Sequence, residues 1–130
     1  MSEKTKVFIV DDEEAIREVT SAVLESHGFE VLSFGAPMDL VDQFEALSMD
    51  DQDVILCDLN MPMMTGVDLY TRLKECRGSV PHFILLTGFP DKASMTAAVR
   101  AGVEKVILKP VTGQELTVAI KGLLAASNAA

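Results

Sequence analysis

Polar side chains follow four of the apolar, strand-like runs in this sequence, each at the point where the run ends. Asp11 and Asp12 follow the first run, Asp58 the third, Thr87 the fourth and Lys109 the fifth. If these runs are parallel strands of one sheet, their ends meet at one edge and the side chains converge. Three carboxylates in a small cleft repel one another, so such a cluster needs a divalent cation and an ammonium beside it. The pattern therefore indicates a reactive site at one edge of a sheet.

The chemistry that suits these residues is metal-assisted phosphoryl transfer. Mg²⁺ takes carboxylate and carbonyl oxygens and completes its octahedral shell with water or phosphate oxygens. Asp11, Asp12 and Asp58, with a main-chain carbonyl just after Asp58, provide such a set. A carboxylate faced by Lys109 can attack phosphorus and form an aspartyl phosphate. The protein then mainly positions groups and neutralises phosphoryl oxygens, which suits Lys109 and the Thr87 hydroxyl.

The elements that must position these residues alternate along the chain. Short runs rich in β-branched residues and Phe are separated by segments with apolar residues at helical spacing. The runs are 6–10, 29–34, 54–57, 83–86 and 106–108, and the helical segments are 16–23, 37–47, 66–77, 91–101 and 114–124. Nearly continuous apolar strands that alternate with amphipathic helices predict a parallel sheet covered on both faces. We therefore predict a three-layer α/β (αβα) sandwich with the order βαβαβαβαβα.

Length and composition restrict the class of protein. The chain has 130 residues, of which 48% are hydrophobic, and 11 Lys and Arg against 20 Asp and Glu give a net charge of −9. A chain of this size can bury one core without a metal or disulfides, and we predict one domain over 1–126 with a short tail at 127–130. The acidic balance argues against direct nucleic-acid binding. The absence of a membrane span or signal peptide predicts a cytoplasmic protein without membrane contact, and Cys57 and Cys76 are expected to be reduced core residues.

Four segments, in order and spacing, resemble the receiver domain of two-component response regulators (the CheY-like superfamily). They are VDDE at 10–13, CDLNMPMMTG at 57–66, LTG at 86–88 and LKP at 108–110. Each segment alone is weakly specific, but together they are strongly so, and the resemblance covers nearly the whole chain. It implies a flavodoxin-like five-stranded parallel sheet of strand order 2-1-3-4-5 and a cis peptide bond before Pro110.

The resemblance also implies a role for each residue of the site. Asp58 is the phosphoacceptor, which takes its phosphoryl group from a histidine kinase phosphohistidine or from a phosphotransfer protein. Thr87 binds a phosphoryl oxygen after modification, and Lys109 pairs with the phosphoryl group or the free carboxylate. The implied Mg²⁺ ligands are Asp11, Asp12, Asp58 and the main-chain carbonyl of Asn60. On this basis we expect a signalling module, and not an enzyme, that catalyses its own phosphorylation and dephosphorylation.

Phosphorylation is expected to change a protein-interaction surface made by the fourth helix, fifth strand and fifth helix. That surface is expected to bind an output domain, a target protein or a second copy of the chain. Many receivers carry Tyr or Phe three residues before the lysine, whereas this chain has Val106 there, and an isopropyl group cannot make the inward rotation of an aromatic ring. Phe89 is interpreted either as a shield for the acyl phosphate or as part of an exposed partner surface.

Alternatives to this interpretation remain open at the level of sequence. Asp11 and Glu14 can form a capping box for the first helix, and capping does not exclude metal ligation. A degenerate receiver that acts only as a docking module is a second alternative. A phosphatase of the haloacid-dehalogenase type is a third, although those enzymes carry an acid two residues after the nucleophile, where this chain has Asn60. The sequence leaves open whether the domain is free-standing or part of a larger regulator or hybrid kinase.

Overall fold

The architecture is a five-stranded sheet with helices on both sides. The computed structural model describes residues 4–47, 50 and 52–128 of the chain. The strands are β1 (Lys6–Val10), β2 (Glu30–Phe34), β3 (Val54–Asp58), β4 (His82–Thr87) and β5 (Lys105–Leu108). The helices are α1 (Glu14–Ser26), α2 (Pro37–Gln43), α3 (Gly66–Arg77), α4 (Lys92–Ala101) and α5 (Gly113–Asn128).

The strands lie in the order β2-β1-β3-β4-β5, and every neighbouring pair is parallel. This confirms the predicted fold class and strand order. The order in which the chain adds strands to the sheet reverses between β1 and β3, since β2 is added on one side of β1 and β3 on the other. At this point Val10 is the register partner of Cys57. In open parallel sheets, sites lie beyond the carboxyl ends of the strands at such a reversal. The residues that directly follow Val10 and Cys57 are therefore the ones to inspect for chemistry.

Two buried clusters, one on each face of the sheet, hold the layers together. On β3, Ile55 and Cys57 belong to the cluster that includes Leu69 and Leu73 of α3. Val54 and Leu56 belong to the other cluster, which includes Leu24 of α1 and Ile120 of α5. All of β3 is buried. Because successive side chains of a strand point to opposite faces, a central strand covered on both sides is apolar up to its last residue, which here is Asp58.

Several boundaries differ from those predicted. Helix α2 ends at Gln43, with Phe44 as its C-cap, so the apolar spacing out to Leu47 overstates its length. Helix α5 begins at Gly113 and continues to Asn128, beyond the predicted segment. The boundary between a domain at 1–126 and a tail at 127–130 stays a prediction, and residues 129–130 lie outside the described part. Among the described residues, no helix is long and apolar enough to span a lipid bilayer.

The prediction that both cysteines belong to the core is wrong for one of them. Cys57 is fully buried in β3, whereas Cys76 is exposed. Cys76 shares the apolar spacing of Leu69 and Leu73, but it lies in the last turn of α3, just before the Gly78 C-cap, where the helix reaches the surface. Burial raises the pKa of the Cys57 thiol well above its usual value, and the charges of Asp58 and Asp11 raise it further. Cys57 is therefore held as an uncharged core side chain.

Candidate functional site

Three carboxylates converge at the carboxyl edge of the sheet, as predicted. Asp11 directly follows β1, Asp12 comes next, and Asp58 is the last residue of β3. One oxygen from each carboxylate lies within 4.8 Å of the others. Asp11 and Asp58 are buried, at 2% and 7% exposure, and Asp12 is exposed. The group therefore has two anchored acids and one that faces the solvent.

An ammonium group lies against the two buried acids. Lys109 follows β5, and its Nζ is 3.3 Å from Asp58 Oδ1 and 3.9 Å from Asp11 Oδ2. The Lys109 main-chain N–H donates to the Thr87 carbonyl at 2.8 Å, which continues the pairing of β4 with β5. The Lys109–Pro110 peptide is cis, which confirms that expectation. The lysine is thus fixed to the sheet through its backbone while its side chain reaches the acids.

The pKa of Asp11 reflects its burial and the charges around it. Burial raises the pKa of Asp11 above its usual value of 3.8, and the charges of Asp58 and Asp12 raise it further. The hydrogen bond from the Glu13 N–H and the charge of Lys109 act in the opposite direction on this pKa without cancelling the increase. Burial of the carboxyl thus outweighs the opposing effects of Lys109 and the Glu13 N–H on this pKa. The three carboxylates offer oxygen ligands of the hard type that a divalent cation such as Mg²⁺ prefers, so the donor set fits such an ion.

The turn from β1 into α1 uses Asp11 differently from the capping box considered above. The N-cap of α1 is Glu13, which makes no side-chain cap. Asp11 Oδ1 instead accepts a hydrogen bond from the Glu13 N–H at 2.9 Å. The capping box with Glu14 is therefore wrong, because Asp11 lies two residues before the Glu13 N-cap. The carboxylate is oriented within a tight turn and remains part of the acidic group.

Thr87 ends β4 and is completely buried. Its Oγ1 accepts a hydrogen bond from the Phe89 main-chain N–H at 3.0 Å. That bond uses a lone pair of the hydroxyl oxygen and leaves its proton for donation to an acceptor. Phe89 is 71% exposed. Thr87 therefore connects the end of β4 to the start of the loop that leads into α4.

Asp58 is followed by a loop, residues 59–65, that is tied to two neighbours. The Leu59 N–H donates to the Leu86 carbonyl at 2.9 Å, and the Gly66 N–H donates to the Leu59 carbonyl at 2.9 Å. The Asn60 main-chain N–H reaches Asp58 Oδ1 at 3.4 Å, and the structure thus places Asn60 beside the Asp58 carboxylate. A Cβ at Gly66 would lie 2.8 Å from the Asp58 carbonyl and would overlap Leu85 Cδ2. The glycine in this motif therefore permits α3 to begin directly against Asp58.

Sequence analysis missed one residue that contacts this region. Arg17, on α1, donates from Nη1 to the Asp11 main-chain carbonyl at 2.7 Å. Its guanidinium also lies against Gly35, which together with Asp12 lines a cavity of about 450 Å³. A polar residue one turn into a helix is ordinarily a solvated side chain. The sequence did offer one signal, because Arg17 is the single arginine of the helix that follows Asp11 and Asp12.

A parallel sheet of this order, with three acids at the strand reversal and a lysine after the last strand, defines a class of signalling domain. The sequence model of the response regulator receiver domain matches residues 7–121, and the chain belongs to that family. Among curated proteins, it is 31% identical over 124 residues to the transcriptional regulatory protein CseB of Streptomyces coelicolor, covering 95% of this chain and 51% of that protein. It is 27% identical over 124 residues to the transcriptional regulatory protein FixJ of Bradyrhizobium diazoefficiens, covering 95% of this chain and 58% of that protein.

Solved structures agree with this assignment. A response regulator receiver domain protein (CheY-like) from Methanospirillum hungatei has a TM-score of 0.87 and 26% identity, with 97% of this chain and 98% of that chain covered. A response regulator receiver domain protein from Clostridium thermocellum has a TM-score of 0.82 and 29% identity, with 95% and 97% covered. The chain spans about half the length of the two curated relatives named above.

Family membership corrects one expectation from the sequence. The chain was expected to be a signalling module and not an enzyme. Receiver domains of response regulators are weakly catalytic in their own phosphorylation, so the exclusion from enzymes is wrong. A domain whose own carboxylate is the reacting group needs no separate substrate to be modified in order to be catalytic. The family match also removes the phosphatase of the haloacid-dehalogenase type from consideration.

Proposed function

We propose that the chain accepts a phosphoryl group on Asp58 from a phosphohistidine of a histidine kinase or phosphotransfer protein, in a Mg²⁺-dependent reaction. The observation that carries the proposal is the position of the Asp58 carboxylate. It lies 3.3 Å from the Lys109 ammonium and within a group of three acids at the strand reversal. Carboxylates that share a small space repel one another, and this cost is not expected for a carboxylate that is needed only for folding.

In the proposed reaction, an Asp58 carboxylate oxygen forms a bond to phosphorus while the bond from phosphorus to the donor's imidazole nitrogen breaks. The electron pair of that bond stays on the imidazole, which becomes neutral or takes up a proton. Lys109 neutralises negative charge on the phosphoryl oxygens, and Thr87 donates its hydroxyl proton to one of them once the aspartyl phosphate has formed. Hydrolysis returns the carboxylate when water attacks phosphorus and inorganic phosphate leaves.

The proposed metal ligands are Asp11, Asp12, Asp58 and the main-chain carbonyl of Asn60. Bound there, Mg²⁺ supplies positive charge to the phosphoryl oxygens and reduces repulsion from the three carboxylates. The role of Asp11 and Asp12 is then to hold that ion beside the acceptor. Asp11 is fixed by its hydrogen bond with Glu13, and Asp12 provides the exposed side of the set.

We further propose that phosphorylation alters the face formed by α4, β5 and α5, and that this face contacts an output domain, a target protein or a second copy of the chain. Exposed apolar side chains on it support the proposal. Val99 of α4, Leu108 of β5 and Val118 of α5 are 77%, 56% and 71% exposed. Val106 is partly buried against the core. With Val106 in the usual aromatic position, the signal is proposed to pass from Thr87 through the loop that follows it. These partners imply a cytoplasmic location.

The test is incubation with Mg²⁺ and an acyl phosphate as donor, followed by intact-mass measurement. Wild type is expected to gain one phosphoryl group that is lost at alkaline pH, and Asp58→Asn is expected to gain none. Asp42→Asn, which changes an exposed acid on α2, is the matched control and should gain the group as wild type does. If wild type gains no mass, or if Asp58→Asn gains as much, the proposal is wrong.

The metal assignment has its own test. Asp12→Ala is expected to abolish both phosphorylation and Mg²⁺ binding, because it removes one of three clustered carboxylates. Mg²⁺ binding is measured by calorimetric titration of the unmodified protein. Tight binding retained by Asp12→Ala would refute its role as a ligand.

A further inference from the structure

We propose that Arg17 is a positioning residue for the Mg²⁺ site, and that it acts by fixing the backbone that carries Asp11 and Asp12 against the turn between β2 and α2. This inference rests on the proposed function, since it concerns the metal site of that reaction. It assigns a role to a side chain that lies outside the four motifs by which the site was predicted.

The first observation is the hydrogen bond from Arg17 Nη1 to the Asp11 carbonyl, at 2.7 Å. A charged donor on a carbonyl at this distance makes a strong bond of defined direction. The Asp11 carbonyl shares its rigid peptide plane with the Asp12 nitrogen and Cα. A bond that fixes this oxygen therefore also fixes the orientation of the backbone at Asp12.

The second observation is the packing of the guanidinium on Gly35, in the turn that follows β2. A Cβ built on Gly35 would lie 3.2 Å from Arg17 Nη1, 3.4 Å from Cζ and 3.5 Å from Nη2. The planar group thus lies close against the glycine backbone. The φ of Gly35 is not among the positive values of the described glycines. The glycine is therefore explained by the close approach of the arginine and not by a left-handed conformation.

The third observation is that, with these contacts, every polar group of Asp11 has a hydrogen bond. The Asp11 N–H donates to the Phe34 carbonyl at 3.2 Å, and Asp11 Oδ1 accepts from the Glu13 N–H at 2.9 Å. With Arg17 on the Asp11 carbonyl, the main-chain donor, the main-chain acceptor and the carboxylate of Asp11 each have a bond. Asp12 and Gly35 line the same cavity, so the turn held by Arg17 is adjacent to the exposed metal ligand.

Charge and position predict opposite effects when Arg17 is removed. Arg17→Met keeps an unbranched apolar stem but removes the donor and the positive charge. Loss of a cation near three carboxylates should strengthen Mg²⁺ binding if Arg17 acts through its charge. Loss of the bond to the Asp11 carbonyl should weaken Mg²⁺ binding if Arg17 acts as a positioning residue. The sign of the change therefore separates the two roles.

The experiment is calorimetric titration of the unmodified full chain with Mg²⁺ alone, together with urea unfolding of each variant. Arg17→Met is expected to bind Mg²⁺ about tenfold more weakly than wild type, in the range found when partners of metal ligands are removed. Arg17→Lys keeps one donor and the charge, and is expected to recover part of the affinity. Arg72→Met, on the exposed surface of α3, has the same loss of charge and is expected to leave the affinity unchanged.

Gly35→Ala provides a second variant that leaves the arginine in place. Its Cβ would press on the guanidinium, and a weaker Mg²⁺ affinity with little change in unfolding is expected. Unchanged or tighter binding by Arg17→Met, or by Gly35→Ala if Arg17→Met does not fold, would overturn the inference. If these variants bind Mg²⁺ more weakly but the wild type is not phosphorylated on Asp58, the role of Arg17 is supported and the proposed function is overturned. A wild type that binds no Mg²⁺ would overturn both.

Discussion

The Lys109 ammonium lies closer to Asp58 than to Asp11, at 3.3 Å against 3.9 Å. The lysine side chain is 28% exposed, whereas the side chains of Asp58 and Asp11 are 9% and 3% exposed. The charge is thus applied from the solvent side of the cleft onto two buried acids. In the proposed reaction, this position beside Asp58 lets the ammonium neutralise phosphoryl oxygens.

Lys109→Ala is expected to slow phosphorylation of Asp58 by about a hundredfold, the usual cost of removing one stabilising donor from a reacting centre. Mg²⁺ binding is expected to be at least as tight as in wild type, because the carboxylates lose a competing cation. Mass measurement over time gives the rate, and calorimetry gives the affinity. Lys121→Ala, on the exposed surface of α5, should change neither. Phosphorylation of Lys109→Ala at the wild-type rate would remove Lys109 from the mechanism.

Phe89→Asn is expected to shorten the lifetime of the phosphorylated protein severalfold, because an apolar ring beside the site hinders the approach of water. Phe89 is 71% exposed, so its replacement should leave the free energy of unfolding nearly unchanged. The loss of the phosphoryl group is followed by mass measurement after removal of the donor. Phe89→Leu keeps an apolar group and should retain most of the lifetime. Equal lifetimes for wild type and Phe89→Asn would favour the alternative, in which Phe89 belongs to a partner surface.

Gly66→Ala is expected to lower the free energy of unfolding by about 1–3 kcal/mol through overpacking. The new Cβ would overlap Leu85 and come within 2.8 Å of the Asp58 carbonyl, so phosphorylation should also slow. Gly122→Ala is the control, since a Cβ there meets nothing within 4 Å and lies on α5. That variant should gain about 0.5–1 kcal/mol from helix propensity. Urea unfolding measures both changes, and similar values for the two variants would contradict the close packing at Gly66.

The N-cap of α4 predicts a pH-dependent contribution to stability. Hydrogen bonds from the Ser94 side chain and its main-chain N–H lower the pKa of Asp91 below its usual value of 3.8. A group whose pKa is lowered by folding stabilises the protein above its unfolded pKa, and this contribution is lost as the pH falls through the folded pKa. Asp91→Asn should therefore be less stable than wild type at neutral pH.

That difference should shrink in unfolding experiments as the pH is lowered below 3.8. Asp42→Asn, on the exposed surface of α2, is the control for loss of one acidic charge. A difference between wild type and Asp91→Asn that stays constant across this range would show that the cap does not depend on the charge.

The fold was predictable because its signals are local. The strands alternate their side chains between two cores, so Val54, Ile55, Leu56 and Cys57 all had to be apolar, and the helices carry apolar residues at helical spacing. The convergence of Asp58 with Lys109 followed from parallel strands alone. Helix ends were less predictable, as α2 shows, because the apolar residues beyond Gln43 pack on the core from a turn.

The finer parts of the site depend on contacts between distant segments, which a periodic pattern does not contain. To predict the hydrogen bond between Arg17 and the Asp11 carbonyl, one must know the direction in which the Arg17 side chain leaves α1. The exposure of Cys76 depends on where α3 stops packing on the core, since the helix residues after Leu73 are all exposed. The Asp11 carboxylate accepts from the N–H of Glu13, two residues later, whereas a capping box would close on the third residue. Apolar spacing does not distinguish these two turns.

The separation of the interior into two clusters by the sheet has a consequence for how substitutions combine. Leu69 and Leu73 on one side share no cluster with Leu24 and Ile120 on the other. Free-energy changes add when two sites are far apart and share no partners. Truncations of Leu69 and Ile120 should therefore be additive in a double variant, whereas those of Leu69 and Leu73 should not. The helices on the two faces can accordingly diverge in sequence independently, while the strand ends between them keep one reactive site.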